Sequence, residues 1–146
     1  MLSLIIFDWK RTLYDLDAKE LIEGSLDLLE SIKNKNISMI LVGKGGEDMN
    51  VEVDRLGIRD YFNDIVFAQG DKDSKVFAKF VKQPESTLFI GDRVRSELEI
   101  GNQLGAMTIW VKQGKFASEE PLSSDQKPDY IVSSLKDCSK LISSLD

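Results

Sequence analysis

Histidine is absent from this chain of 146 residues, and cysteine occurs only once, as Cys138. The absence of histidine excludes Ser-His-Asp and Cys-His catalytic groups and every metal site with an imidazole ligand. A single cysteine excludes an intramolecular disulfide and a cysteine-based zinc cluster. Any chemistry must therefore use carboxylates, lysines, hydroxyls and backbone amides, a set that favours hard cations such as Mg²⁺.

Long apolar runs and an excess of basic residues are also missing. No stretch approaches the ~18 apolar residues of a membrane span, and Asp8 comes too early for a secretory signal peptide. We therefore expect a cytoplasmic protein. The formal net charge of −6 argues against nucleic acid as a partner. With 42% hydrophobic residues, residues 1–146 are expected to form a single domain.

Short β-branched or aromatic runs alternate with longer amphipathic stretches. This pattern predicts a doubly wound, Rossmann-like α/β fold, a parallel sheet of about five strands with helices on both faces. Strands are predicted at Leu2–Phe7, Ser38–Val42, Ile65–Ala68, Thr87–Ile90 and Met107–Val111, with a short sixth at Tyr130–Val132. Helices are predicted at about Ala18–Asn34, Glu47–Leu56, Ser74–Lys82, Ser96–Leu104 and Leu135–Leu145.

The connections between these elements are short. Single helices fill the intervals between the first three strands, so no inserted cap domain is expected. The polar segment 113–128, which contains two prolines, is predicted to be a surface loop. In doubly wound sheets, ligands bind beyond the carboxyl ends of the strands. The residues that directly follow each strand are therefore the candidates for a functional site.

Two acidic segments occupy such positions. The first predicted strand leads into residues 7–13, FDWKRTL, and the fourth leads into residues 90–97, IGDRVRSE. They resemble the first and last signature motifs of the haloacid dehalogenase (HAD) superfamily, Asp-x-Asp-x-Thr-Leu and Gly-Asp-x-x-x-x-Asp. The matching positions are Asp8, Thr12, Leu13, Gly91 and Asp92, with Glu97 at the last acidic position. The segments 57–62 and 105–111 also resemble their counterparts in that superfamily.

The resemblance implies a phosphatase-type hydrolase that uses Mg²⁺. In such an enzyme Asp8 is the nucleophile and Thr12 lies beside it. The Mg²⁺ is held by Asp8, the backbone carbonyl of Lys10, Asp92 and water, with Glu97 orienting a water or a lysine behind them. These oxygen ligands agree with what Mg²⁺ prefers in proteins.

The superfamily also uses a lysine ahead of the fourth strand to neutralise the nucleophile and the phosphate. Lys72 fits its usual place best, and Lys75 is the alternative; an ordinary solvated helix start is the competing interpretation of this segment. Other basic residues gather at the predicted active edge, which suits an anionic ligand. They are Lys10, Arg11, Lys44, Arg93 and Arg95.

Two positions depart from the phosphatase pattern. Lys10 stands where these enzymes have a second aspartate that protonates the leaving oxygen, and an ammonium beside carboxylates stays charged. Proton transfer of this kind contributes about 10²–10⁴-fold to the rate. Gly43 stands where a Ser or Thr is usual after the second strand. Phosphate would then be held by backbone N–H groups near Gly43 with help from Lys44 and Arg11, although a plain turn explains this segment equally well.

Two hypotheses of different classes follow. The first is a capless, Mg²⁺-dependent, phosphatase-type hydrolase acting through an aspartyl-phosphate on Asp8, with a phosphorylated small molecule or protein as substrate. The second is a HAD-fold binding or regulatory protein with impaired catalysis. An open site is expected to admit a large substrate or to be closed by a second subunit or a partner protein. A receiver-type module is disfavoured because Ala68, Gln69 and Gly70, and no aspartate, follow the third strand.

Overall fold

From α1 to β7, strands and α-helices alternate along the chain, as the sequence predicts. The computed structural model of the protein describes residues 1–70 and 72–145. In chain order the strands and α-helices are β1 (Leu4–Phe7), β2 (Tyr14–Asp15), β3 (Glu20–Leu21), α1 (Ser25–Asn34), β4 (Ser38–Lys44), α2 (Glu47–Arg55), β5 (Asp64–Ala68), α3 (Ser74–Ala78), β6 (Thr87–Gly91), α4 (Glu97–Gln103), β7 (Met107–Val111), β8 (Tyr130–Val132) and α5 (Leu135–Leu145).

The main sheet is parallel throughout and has the strand order β5-β4-β1-β6-β7-β8. Side chains of β1 alternate between its two faces, as the period of a strand requires. Ile5 and Phe7 pack in a core with residues of α1, α2 and α5, whereas Ile6 packs in a second core with residues of α3 and α4. Helices therefore cover both faces, and the prediction of a doubly wound α/β fold is confirmed, with six strands in the sheet.

Most predicted boundaries agree with the structure, but the first helix is wrong. It begins at Ser25, seven residues later than expected, because residues 14–21 form the antiparallel hairpin β2–β3 instead. Leu21 and Ile22, which supplied part of the helical periodicity, pack against the core from this hairpin and the turn after it. Gly24 precedes the helix with a φ of 92°, a left-handed conformation that glycine adopts without strain.

Helix α3 is also shorter than predicted. It starts with Asp73, whose side chain accepts hydrogen bonds from the backbone of Lys75 and Val76, and it ends at Ala78 where Lys82 was expected. The chain continues in tight turns, in which Phe80 and Val81 donate to carbonyls three residues earlier. Within the described residues, no helix is both long and apolar enough to cross a bilayer.

The hairpin β2–β3 is fastened to α2 by polar contacts. The ring of Tyr14 stacks on Trp9 with 4.9 Å between centroids, and its hydroxyl donates to Glu52 Oε1 at 2.6 Å. Arg55 pairs with the other oxygen of Glu52 at 2.6 Å and donates to the carbonyl of Lys19 in the hairpin. Hydrogen bonds from Arg55 and Tyr14 lower the pKa of Glu52 to about 2. Burial, and then the hydrogen bond to Glu52, raise the pKa of Tyr14 to about 12.

This contact gives a test by acid unfolding. Because folding lowers the pKa of Glu52 from 4.5 to about 2, its stabilising contribution is complete above pH 4.5 and is lost as the pH falls towards 2. We expect the difference in unfolding free energy between wild type and Glu52→Gln to be largest near neutral pH and to shrink over that window. Urea titrations at a series of pH values measure it. An exposed control, Glu85→Gln, should show no such pH-dependent difference.

Candidate functional site

The carboxyl ends of β1, β4 and β6 meet where the strand order reverses. Strand β1 lies between β4 and β6, so the residues after β1 and β6 become neighbours although they are distant in sequence. The backbone N–H of Asp8 donates to the carbonyl of Ile90 at 3.1 Å, which extends the sheet hydrogen bonding by one residue. The indole of Trp110 donates to the carbonyl of Asp92 at 2.9 Å and fixes the start of the second acidic segment.

Three buried carboxylates converge at this point. Asp8, Asp92 and Glu97 each bring an oxygen to within 4.8 Å of the others. The hydroxyl of Thr12 lies 3.1 Å from Asp8 Oδ2 and 3.4 Å from Asp92 Oδ1, so it bridges the two aspartates and donates to one of them at a time. Asp92 Oδ2 is buried and accepts no hydrogen bond from the described part of the chain.

A single lysine contacts two of these acids. The ammonium of Lys72 lies 2.5 Å from Asp8 Oδ1 and 3.8 Å from Glu97 Oε2, and it also donates to the carbonyl of Val42 at 3.3 Å. Burial alone would lower the pKa of Lys72, but the charges of Asp8 and Glu97 outweigh that effect and raise it. Lys75 is exposed and does not line the cavity. Of the two predicted lysines, the geometry brings Lys72 to the acids.

If all three carboxyl groups were ionised, they would carry more negative charge than Lys72 balances. Burial, with added repulsion from Asp8 and Glu97, raises the pKa of Asp92 to about 9. Burial and then the charge of Asp8 raise the pKa of Glu97 to about 7, with Lys72 opposing them. Three clustered acids and a buried oxygen without a partner are the donor set that a hard divalent cation takes up. The residues present therefore fit Mg²⁺, which would relieve both the repulsion and the unpaired oxygen.

Gly91 is required by the position of Glu97. A Cβ at residue 91 would lie 2.2 Å from Glu97 Oε1, far inside van der Waals contact. The same Oε1 accepts a hydrogen bond from the backbone of Arg93 at 3.3 Å. In the last motif, Gly91 thus makes space for the acid that follows it six residues later.

Gly43 is also sterically required, for a reason that the sequence did not reveal. It is buried within β4, and a Cβ there would lie 2.7 Å from both Phe67 Cε1 and Trp9 Cβ. The Ser or Thr that is usual at this position would collide with these side chains. Gly43 does not line the cavity, whereas the neighbouring Lys44 does.

The acids form the floor of a cavity of about 470 Å³. All five basic residues predicted to gather at the active edge line it, Lys10 and Arg11 among them. Sequence reasoning missed Phe116, which also lines the cavity and belongs to the segment predicted as a surface loop. An aromatic residue within an otherwise polar loop was the signal that could have found it.

Comparisons with known proteins agree with this fold. The HAD-hydrolase-like family model matches residues 74–138. The glyceraldehyde 3-phosphate phosphatase of Methanopyrus kandleri is 27% identical over 86 residues, which cover 53% of this chain and 37% of that protein. This chain therefore matches well under half the length of that relative.

Two solved structures share the fold. A haloacid dehalogenase-like family hydrolase from Xanthomonas campestris superposes with a TM-score of 0.80 at 14% identity, over 99% of this chain and 96% of that chain. The HAD-hydrolase YfnB from Bacillus subtilis, described as putative and solved bound to magnesium, superposes with a TM-score of 0.69 at 20% identity, over 85% of this chain and 57% of that chain.

The parallel sheet with helices on both faces gives this chain the α/β fold of these structures. The matching family model and the fold agree with the order of the two motifs, and the chain is similar to proteins of the haloacid dehalogenase superfamily.

The packing around Gly43 can be tested directly. Gly43→Ser restores the residue usual in the superfamily, but we expect it to lower the unfolding free energy by about 1–3 kcal/mol, as overpacking does. Gly70→Ala is the matched control, because nothing lies within 4 Å of a Cβ at that position, and it should change stability by no more than about 0.5 kcal/mol. Chemical denaturation compares the two. A Gly43→Ser protein as stable as wild type would contradict the steric explanation.

The crowding of the acids predicts a metal-dependent stability. Since folding raises the pKa of Asp92 from 3.8 to about 9, the metal-free protein loses stability as the pH rises between these values. In chelator at pH 7, Asp92→Asn should therefore be more stable than wild type by about 2 kcal/mol, the scale of a relieved buried polar group. Mg²⁺ should stabilise wild type but not the variant. Thermal unfolding measures both effects, with the exposed Asp17→Asn as a control that leaves them unchanged.

Proposed function

We propose that this protein is a Mg²⁺-dependent phosphatase-type hydrolase that forms an aspartyl-phosphate on Asp8. The observation that carries the proposal is the pairing of Asp8 with the buried Lys72, directly beside Asp92 and its unpartnered oxygen. A phosphatase-type activity also agrees with the name of the matched relative from Methanopyrus kandleri. The cavity volume of about 470 Å³ is in the range that takes a small molecule, which favours a phosphorylated metabolite as substrate.

Each residue of the site has a task in this reaction. An oxygen of Asp8 attacks phosphorus, the bond to the leaving oxygen breaks, and an acyl phosphate forms on Asp8. Water then attacks this phosphorus, releases inorganic phosphate and restores the carboxylate. Lys72 holds Asp8 in place and offsets the charge of the phosphoryl oxygens, while the hydroxyl of Thr12 fixes the other oxygen of Asp8.

Asp8, Asp92 and the backbone carbonyl of Lys10 would hold Mg²⁺, with Glu97 behind them. When bound, the ion supplies positive charge that offsets the charge of the phosphoryl group in the transition state. The ammonium of Lys10 would stabilise negative charge on the leaving oxygen but cannot donate a proton and then remove one from water as an aspartate does. Substrates with good leaving groups, such as aryl and acyl phosphates, are therefore favoured over alkyl esters.

The activity is tested with p-nitrophenyl phosphate and Mg²⁺. We expect slow, Mg²⁺-dependent release of p-nitrophenol that Asp8→Asn lowers by about 10³-fold or more, because the nucleophile is lost. Lys75→Ala removes a lysine that lies outside the cavity and should leave the rate unchanged. Activity that is absent from wild type, or that persists in Asp8→Asn, would refute the mechanism.

The effect on kcat of having Lys10 in place of the usual aspartate can be measured separately. If proton transfer limits the reaction, Lys10→Asp should raise kcat by about tenfold or more for an alkyl phosphate, and less for p-nitrophenyl phosphate, whose leaving group needs little protonation. Initial rates with both substrates across pH 5–9 provide the comparison. An equal change in kcat with both substrates would show that protonation of the leaving oxygen does not limit the rate of the wild-type enzyme.

A binding or regulatory protein is the second candidate, and the residues at positions 10 and 43 favour it. Beryllium fluoride separates the two, because it forms a mimic of aspartyl-phosphate on a competent nucleophile. A crystal structure with Mg²⁺ and beryllium fluoride is expected to contain the adduct on Asp8. A structure in which Asp8 stays bare while Mg²⁺ occupies the site would support the binding protein.

A further inference from the structure

The outer wall of the cavity is built around one aromatic ring. Phe116 comes from the loop after β7 and has the guanidinium of Arg93 4.1 Å from its centroid and that of Arg11 at 5.5 Å. All three residues line the cavity that contains Asp8. Cation–π contacts of this kind hold an arginine in a defined place while leaving its N–H donors available.

The two arginines differ in what else they contact. Arg93 donates twice to Glu119 Oε2, at 2.9 and 3.2 Å, and the other oxygen of Glu119 accepts from the backbone of Arg95. The charge of Arg93 is thus committed to an ion pair. Among residues 1–70 and 72–145, no carboxylate or carbonyl accepts a hydrogen bond from the guanidinium of Arg11. Its donors therefore remain open beside the cavity.

The backbone around Arg11 is held firmly. Its φ is 66°, in the left-handed region that non-glycine residues seldom adopt. Its N–H donates to the carbonyl of Tyr14 at 2.8 Å, and its carbonyl accepts from the side chain of Gln113 at 3.3 Å. A cation that is fixed at both its backbone and its side chain can bind an anion with little loss of conformational entropy.

We propose that Arg11, positioned by Phe116, binds a second anionic group of the substrate, so that the preferred substrate is a small phosphate monoester that also carries a carboxylate. This inference rests on the proposed function and names its substrate class. The phosphoryl group would bind beside Lys72 and the metal. The paired N–H donors of the Arg11 guanidinium match the two oxygens of a carboxylate. Arg11 acts here as a binding residue and Phe116 as a positioning residue.

A matched pair of substrates isolates the second anion. 3-Phosphoglycerate and glyceraldehyde 3-phosphate are both alkyl esters with the same three-carbon chain, so both should react slowly, but the first has a carboxylate where the second has a neutral aldehyde. We expect wild type with Mg²⁺ to prefer 3-phosphoglycerate by about tenfold or more in kcat/KM, the value of a charge-assisted hydrogen-bond pair. Most of the difference should lie in KM.

Variants test whether Arg11 and Phe116 produce the preference for 3-phosphoglycerate. Arg11→Gln should bring the two kcat/KM values to within about threefold of each other, and Arg11→Lys should keep part of the preference because the charge remains. Arg11→Asn is a second test that suits the left-handed backbone at this position. Phe116→Leu should weaken the preference through KM with kcat unchanged. Lys115→Gln removes another cation near the same ring without lining the cavity, and it should alter neither value.

The outcomes separate this inference from the proposed function. If wild type hydrolyses both substrates equally well, or Arg11→Gln lowers both rates by the same factor, the anion subsite is wrong and the phosphatase assignment stands. If none of the phosphates is hydrolysed and beryllium fluoride leaves Asp8 bare, both proposals fail together.

Discussion

The buried ion pair between Lys72 and Asp8 is the contact on which the rest of the site depends. Its two atoms come from segments on either side of β4, and they lie 2.5 Å apart with both side chains almost fully shielded from water. A buried charge without a partner costs several kcal/mol, so neither residue would be tolerated there without the other. Burial first, and then the charge of Asp8, still raise the pKa values of Asp92 and Glu97, so the ion pair alone does not stabilise their ionised forms. A divalent cation bound beside them would do so, because it favours the ionised carboxylates.

The fold could be predicted because its signals are periodic and local. Strand β8 and helix α5 match their predicted bounds, since the apolar spacing of each is local in sequence. The convergence of Asp8 and Asp92 was also predictable, because it follows from the topology of a doubly wound sheet. The hairpin β2–β3 was not, because Leu21 and Ile22 have helical spacing but are fixed by long-range contacts to the core.

Two features of the site, the identity of its lysine and the reason for Gly43, depend on side-chain packing that the sequence does not show. Spacing alone allowed either Lys72 or Lys75, and only the path of the chain ahead of α3 distinguishes them. The glycine at position 43 had no local explanation, because the atoms that exclude a side chain there belong to Trp9 and Phe67, which are far apart in sequence. The ring of Phe67 and the Cβ of Trp9 occupy the space that a side chain at position 43 would need. This departure from the motif is therefore explained by contacts that are distant in sequence.

The side chain of Gln113 joins two loops that leave the sheet from strands which are not neighbours. Its amide reaches the carbonyls of Arg11 and Thr12, crossing the line of β6, and Thr12 in turn touches both Asp8 and Asp92. The loop after β7 also brings Phe116 against Arg11, so two contacts join it to the segment that carries Thr12. The wall of the cavity and the two acids at its base are therefore built on the same short stretch of chain.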